Sequence, residues 1–270
     1  MVNTINNNNN MLKPNLSAPI IDAHAHCGIQ DQFPSQSFEN YYAHVAGTGI
    51  QKVVMFSPVM EIYDRYDPNF QDNTEWQLRR KNSNEYLLTV GNRQLTVIPY
   101  FFIWNDFAVE QMSSKHKGIK WHRHPGEPSY HYEDPRCQMA IDEIRQRNMP
   151  VVFEEEFDNT IRFIHEIAVG VNVIIPHLDL LNGGYDAIER NGIWGSPQVY
   201  TDTSLAPRHV VIDYINRYGS ERILFGSDFP FGDPKSELSK LFSLRIPGDK
   251  KDMVLGQNLE RLLAESHHQQ

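Results

Sequence analysis

Cysteine is scarce in this 270-residue chain: there are two, Cys27 and Cys137, and neither belongs to a C-x-x-C pair. No disulfide framework is therefore indicated, and a reduced, cytoplasmic compartment is the simplest expectation. Long apolar runs are missing too. The longest, such as 171–176, fall far short of the roughly 20 residues a membrane helix needs. Basic charge is in deficit, with 25 Lys+Arg against 34 Asp+Glu and a formal net charge of −9. That argues against a nucleic-acid or anionic-membrane partner, which would require clustered Lys and Arg. It leaves room for a small anionic substrate in a locally positive pocket. The start, MVNTINNNNNMLKPNL, lacks the apolar segment of a secretory leader. There is no Ser/Gly-rich linker and no internal repeat.

What is present is a rhythm. Residues 1–16 are Asn-rich and read as a disordered tail, and 266–270 read as a frayed end. Between them, 17–265 read as a single domain. Short runs rich in Val, Ile and Phe occur at 19–23, 52–57, 95–102, 118–121, 150–153, 172–176, 198–202 and 222–226. Such runs suit strands buried on both faces, as in a parallel sheet. The stretches between them have helical periodicity. Cys137, Ile141 and Ile144 share a face, as do Ile161, Ile164 and Ala168, and Val211, Tyr214, Ile215 and Tyr218. Asp158 or Asn159 is placed to cap the second of these helices, Pro207 to open the third and Gly219 to close it. Eight strands alternating with helices predict a closed (β/α)8 TIM-like barrel rather than an open sheet. The connection 58–94 is long. Its first half, MEIYDRYDPNFQDN, reads as a loop and a candidate lid, and its second half as a helix.

Chemistry-bearing residues gather at predicted strand ends. Asp22-Ala-His24-Ala-His26-Cys-Gly closes the first strand, and histidines at i and i+2 on a strand point the same way. Paired neutral imidazoles suit Zn²⁺, with Mn²⁺ and Fe²⁺ as alternatives. Gly226-Ser-Asp228-Phe-Pro follows the last strand, where a carboxylate can ligate a metal or take a proton from water. His177 ends the sixth strand as ligand, proton shuttle or electrophile. Lys120 and His122 share a face of the fourth strand. Lys120 can be carbamylated and bridge two metals, or stay cationic and hold a substrate carboxylate. With Arg123 these two make an anion-anchoring set. Glu154, Glu155 and Glu156 end the fifth strand. Glu154 and Glu156 share one face, so a metal role falls to Glu154, and solvation suits the other two. His116 and His131 read as surface residues. Tyr63, Tyr66 and Trp76 could add an aromatic wall.

Taken together, IDAHAHCG, NSNEYL, KGIKWH, MPVVF, IIPHLD, ILFGSDFPFG and NLERLL resemble the amidohydrolase-related family, in the branch containing aminocarboxymuconate semialdehyde decarboxylase. The resemblance spans 19–263. It implies a distorted (β/α)8 barrel and a divalent metal at His24, His26 and Asp228, with His177 beside it as ligand or acid/base. The fifth-strand position where relatives often carry a ligand histidine is Glu154 here. The implied activity is metal-dependent hydrolysis of a lactone, amide or ester of a small anionic molecule. Non-oxidative decarboxylation is the alternative, and an inactive binding barrel is the alternative of another class. A small-molecule substrate is the expected partner, and a homodimer is left open.

Overall fold

The computed structural model describes residues 18–29 and 35–265; the expected tail and frayed end lie outside the described residues. All eight apolar runs are strands: β1 (Ile20–His26), β2 (Ile50–Phe56), β3 (Thr96–Phe102), β4 (Gly118–His122), β5 (Val151–Glu154), β6 (Val173–Ile175), β7 (Val199–Asp202) and β8 (Ile223–Leu224). They pair in parallel in sequence order. The ring is closed between β8 and β1 by backbone bonds from Ala23 N to Phe225 O at 2.8 Å and from Asp228 N to His24 O at 2.8 Å. The predicted (β/α)8 barrel is the fold.

The core has two layers because each strand buries both faces. Ile21, Val54, Phe56, Tyr100, Val152, Ile174, Tyr200 and Leu224 fill the barrel interior together with Leu259 and Leu262 from the final helix, Asn258–Glu265. A larger shell packs the outer strand faces against the surrounding helices. Pro135–Gln146 buries Cys137, Ile141 and Ile144 as expected. Arg208–Tyr218 buries Val211, Tyr214 and Ile215 and ends at Gly219, whose φ of 85° suits a glycine. Pro207 is the residue just before that helix rather than its first. The helix Phe157–Arg162 starts after Glu156, so Asp158 lies inside it and does not cap it. It widens over Phe163–Ile167, and Ile161, Ile164 and Ala168 pack on the core as expected, joined by Phe163.

Among the described residues, no helix is long and apolar enough to cross a membrane. The wide turn Met253–Gln257 presses on β1, where a Cβ at Gly256 would lie 2.0 Å from the Pro19 carbonyl oxygen. Gly256→Ala should therefore cost about 1–3 kcal/mol through overpacking. A denaturant midpoint equal to the parent's would show that this seam yields freely.

Candidate active site

Parallel barrels gather the C-terminal ends of their strands at one mouth, and there His24, His26, His122, Glu154, His177 and Asp228 are buried. In β1, Ile21 and Ala23 face the interior. The pairing with β2 then shifts between Asp22 and Ala25. Such an irregularity re-aims side chains. Both His24 and His26 end up edge-on to Phe56, with centroids at 4.8 and 4.9 Å. Asp22 anchors the bend. Its carboxylate accepts from Ser227 N at 2.9 Å, Ser227 Oγ at 2.6 Å and Tyr41 Oη at 2.8 Å. Burial outweighs these bonds and pushes Asp22 up to about 7.

One close grouping is His24, His177 and Asp228, all buried, with one donor atom from each within 4.8 Å of the others. Asp228 Oδ1 lies 3.2 Å from His26 Nε2 and 3.3 Å from His24 Nε2, and Asp228 Oδ2 lies 4.0 Å from His177 Nε2. Despite that proximity His24 Nε2 has no hydrogen-bond partner. Burial, reinforced by the Lys120 ammonium, pushes His24 down to about 4, so at neutral pH its unpartnered nitrogen carries a lone pair. Burial works against ionisation of Asp228. The neighbouring imidazoles, His24 foremost, outweigh it and hold the carboxyl below its usual range. Two imidazole nitrogens and a carboxylate, one nitrogen unsatisfied, form a donor set that fits a divalent transition ion.

A residue not singled out from the sequence organises this group. Asp202, at the end of β7, accepts from His24 Nδ1 at 2.9 Å and from His177 N at 3.2 Å. It also accepts from Ser204 N at 3.0 Å and from Ser204 Oγ. Because the Ser204 proton goes to Asp202, the Ser204 oxygen accepts from His177 Nδ1, at 2.7 Å. Both imidazoles thus carry their proton on Nδ1 and turn Nε2 towards Asp228. The available signal was position: Asp202 stands two residues after the inward Tyr200, at a strand end.

Glu154 falls in a different close donor group from His24 and Asp228, although its Oε1 lies 3.7 Å from the His177 Nε2 of theirs. Its Oε2 accepts from Lys120 Nζ at 2.7 Å, and Lys120 also lies over the Phe56 ring at 4.5 Å. Burial opposes charge on Glu154, but Lys120, and then His122, hold it well below the usual carboxylate range. The other oxygen, Oε1, faces three imidazoles: His124 Nε2 at 3.3 Å, and His122 Nε2 and His177 Nε2 at 3.7 Å each. His122, His124 and Glu154 form a second group of close donor atoms.

Arg123 and Glu155 are turned the other way. Arg123 reaches Glu155 at 2.7 Å and Glu156 at 2.8 Å, and Tyr132 Oη donates to Glu155 at 2.9 Å. Arg123 is therefore spent on structure instead of facing a substrate, and Glu155 is a buried partner, not a solvated charge. His116 is also buried, beside Phe101 and ahead of β4, away from the mouth. The loop 58–73 is a fastened wall more than a free lid. Tyr63 is buried, stacks on Trp104 at 4.0 Å and donates to Glu127 Oε2 at 2.6 Å. Arg65 pairs with Glu127, and Arg80 ties down Asp72 at 2.8 Å and Ile62 O at 2.8 Å. Tyr66 is exposed and Trp76 is half-buried against Phe70, so the expected aromatic wall reduces to Tyr63.

Backbone strain clusters at the same strand ends. His177, Leu178 and Asp179 have φ of 56°, 53° and 60°, and Asp228 has 55°. Non-glycine residues in this region cost about 1–3 kcal/mol each and collect at functional sites.

Fold and site together define a (β/α)8-barrel enzyme with metal-type donors at the mouth. The amidohydrolase family model matches residues 124–264, just over half of the chain, and the chain belongs to that family. No curated protein matches it in a sequence search. Solved structures share the fold. A 2,6-dihydroxybenzoate decarboxylase from Rhizobium is 14% identical with a TM-score of 0.67, covering 91% of this chain and 98% of its own. A dihydroxybenzoic acid decarboxylase from a Polaromonas species, with bound manganese and 2-nitroresorcinol, is 13% identical at TM-score 0.66, covering 92% and 99%. A Pseudomonas putida protein provisionally assigned as a 2-pyrone-4,6-dicarboxylic acid hydrolase is 14% identical at TM-score 0.62, covering 91% and 97%.

Proposed function

We propose that this chain is a metal-dependent hydrolase that cleaves a C–O or C–N bond in a small anionic molecule. The observation that carries the proposal is the buried, unpartnered His24 Nε2 beside Asp228 and His177. His24, His26 and Asp228 would hold a divalent ion, and His177, whose Nε2 lies 4.0 Å from Asp228, would stand beside it as the acid/base. Zn²⁺ is the first choice for these nitrogen-rich donors, with Mn²⁺ and Fe²⁺ behind it. The ion supplies Lewis acidity, polarising a carbonyl and acidifying water.

The protein groups divide the remaining work. Asp228, ionised at neutral pH, accepts the proton of the attacking water. His177 presents Nε2 on the side opposite its Ser204 bond, takes up that proton from Asp228 and passes it to the leaving group. His122 and His124 form the substrate-facing side of the Glu154 cluster, and Lys120 sets its charge. The second reading is non-oxidative decarboxylation, in which His177 would protonate the substrate carbon. The likeness to two decarboxylases that act on dihydroxybenzoates supports it.

Elemental analysis of protein purified without added metal should show near-stoichiometric transition metal. His24→Ala/His26→Ala should lose it. A double variant as metal-rich as the parent would place the ion elsewhere. A screen of lactones, amides and esters against hydroxybenzoates then separates the readings by product, since only the lyase releases CO₂.

A further inference from the structure

The second donor group in the mouth is complete in composition and yet already holds a positive charge. His122 Nε2, His124 Nε2 and Glu154 Oε1 are close enough to share one ion. His122 and His124 repeat at the end of β4 the i, i+2 spacing that His24 and His26 have on β1. The other oxygen of the same carboxylate, Glu154 Oε2, is occupied by Lys120 Nζ at 2.7 Å. Lys120 is fully buried, and among the described residues the only carboxylate in ion-pair contact with it is Glu154. Its charge reaches further, since the same ammonium disfavours protonation of both His24 and His122.

We propose that the Lys120 ammonium takes the place of a second divalent cation, neutralising Glu154 and keeping a metal out of the His122–His124–Glu154 set. Two cations on one buried carboxylate repel each other strongly where little water screens them. Glu154 supplies the carboxylate of that donor group, while the nearby Glu127 is occupied by Tyr63 Oη and His124 N, so a metal and an ammonium would compete for Glu154. With the ammonium in place, His122 and His124 stay free of metal and available to a substrate. With it gone, the carboxylate is left buried and uncompensated, a state that a metal ion relieves. The site is thus held to one ion by a residue of its own, and the latent second site prefers ions that accept imidazole and carboxylate together, Zn²⁺ and Mn²⁺ among them. The proposal rests on the metal-dependent reading only for the first ion.

The test counts ions. The parent, Lys120→Met, Lys120→Arg and Lys120→Met/Glu154→Gln are each loaded with Zn²⁺ and dialysed, and metal per chain is measured. Lys120→Met should hold one Zn²⁺ more than the parent. Lys120→Arg, which keeps the charge, and the double variant, which lacks the carboxylate, should hold no more than the parent. Lys120→Gln, which can still donate a hydrogen bond to Glu154, replaces Lys120→Met should the latter not fold. Equal content in the parent and the uncharged variant overturns the proposal. So does a parent that already fills both positions, or a matching gain in Lys120→Arg. A parent without metal would instead overturn the preceding reading, and the gain of one ion on removing the lysine charge would still decide this one.

Discussion

Asp228→Asn should lower kcat by about 10²–10⁴-fold on whichever substrate the screen identifies, with little change in unfolding midpoint. The carboxylate lies within 3.3 Å of both β1 histidines, and an amide cannot accept the proton of an attacking water. The small effect on folding follows from where Asp228 is tied. Its backbone N bonds to His24 O and its carbonyl accepts from Phe231 N and Gly232 N, and these bonds do not involve the side chain. A variant that turns over at the parental rate would remove Asp228 from the chemistry.

Asp202→Asn should weaken metal binding and turnover together, each by about 10–100-fold, the usual penalty for losing the carboxylate behind a ligating imidazole. Asp202 accepts from four donors through two oxygens. An amide offers one oxygen and turns an NH₂ against one set of those donors. Either His24 or the Ser204–His177 pair then loses the partner that keeps its proton on Nδ1. Competition with a chelator reads the affinity. Ser204→Ala, which disturbs only the His177 side, should lower turnover while sparing metal affinity more than Asp202→Asn does. Parental affinity in Asp202→Asn would mean that the imidazoles orient themselves without it.

The strands were legible because a barrel strand is buried on both sides and cannot hide its apolar run. The H-x-H pair and Asp228 were legible because they stand at the ends of the first and last runs, which a closed barrel makes neighbours. What was not legible lies across strands. Lys120 and Glu154 meet because β4 pairs with β5 in the register His122↔Glu154, and the sequence does not state that register. Alternation along β5 placed Glu155 opposite Glu154, whereas Arg123 was grouped with Lys120 and His122 although it falls on the other face of β4. Only the pairing shows that the two outward charges meet each other instead of solvent or substrate. His124 lies beyond the strand, where alternation no longer applies, and Asp202 resembled an ordinary strand-ending turn residue. The cap of the helix after β5 was misplaced because Glu156 opens it without a side-chain bond.

The seam between β8 and β1 also bears on how the protein is made. Asp22 holds the Ser227 backbone and hydroxyl, and His24 O receives the Asp228 amide, so the bonds that shut the ring also bring Asp228 to the histidines. These partners are about two hundred positions apart in sequence, and contacts of such span form late because chain entropy must be overcome first. During synthesis the first strand emerges long before the last. A nascent chain that ends short of Asp228 has neither a closed wall nor the carboxylate that stands beside the His24 nitrogen. Catalytic competence and completion of the barrel therefore arrive in a single event, and partially built intermediates are silent towards substrate.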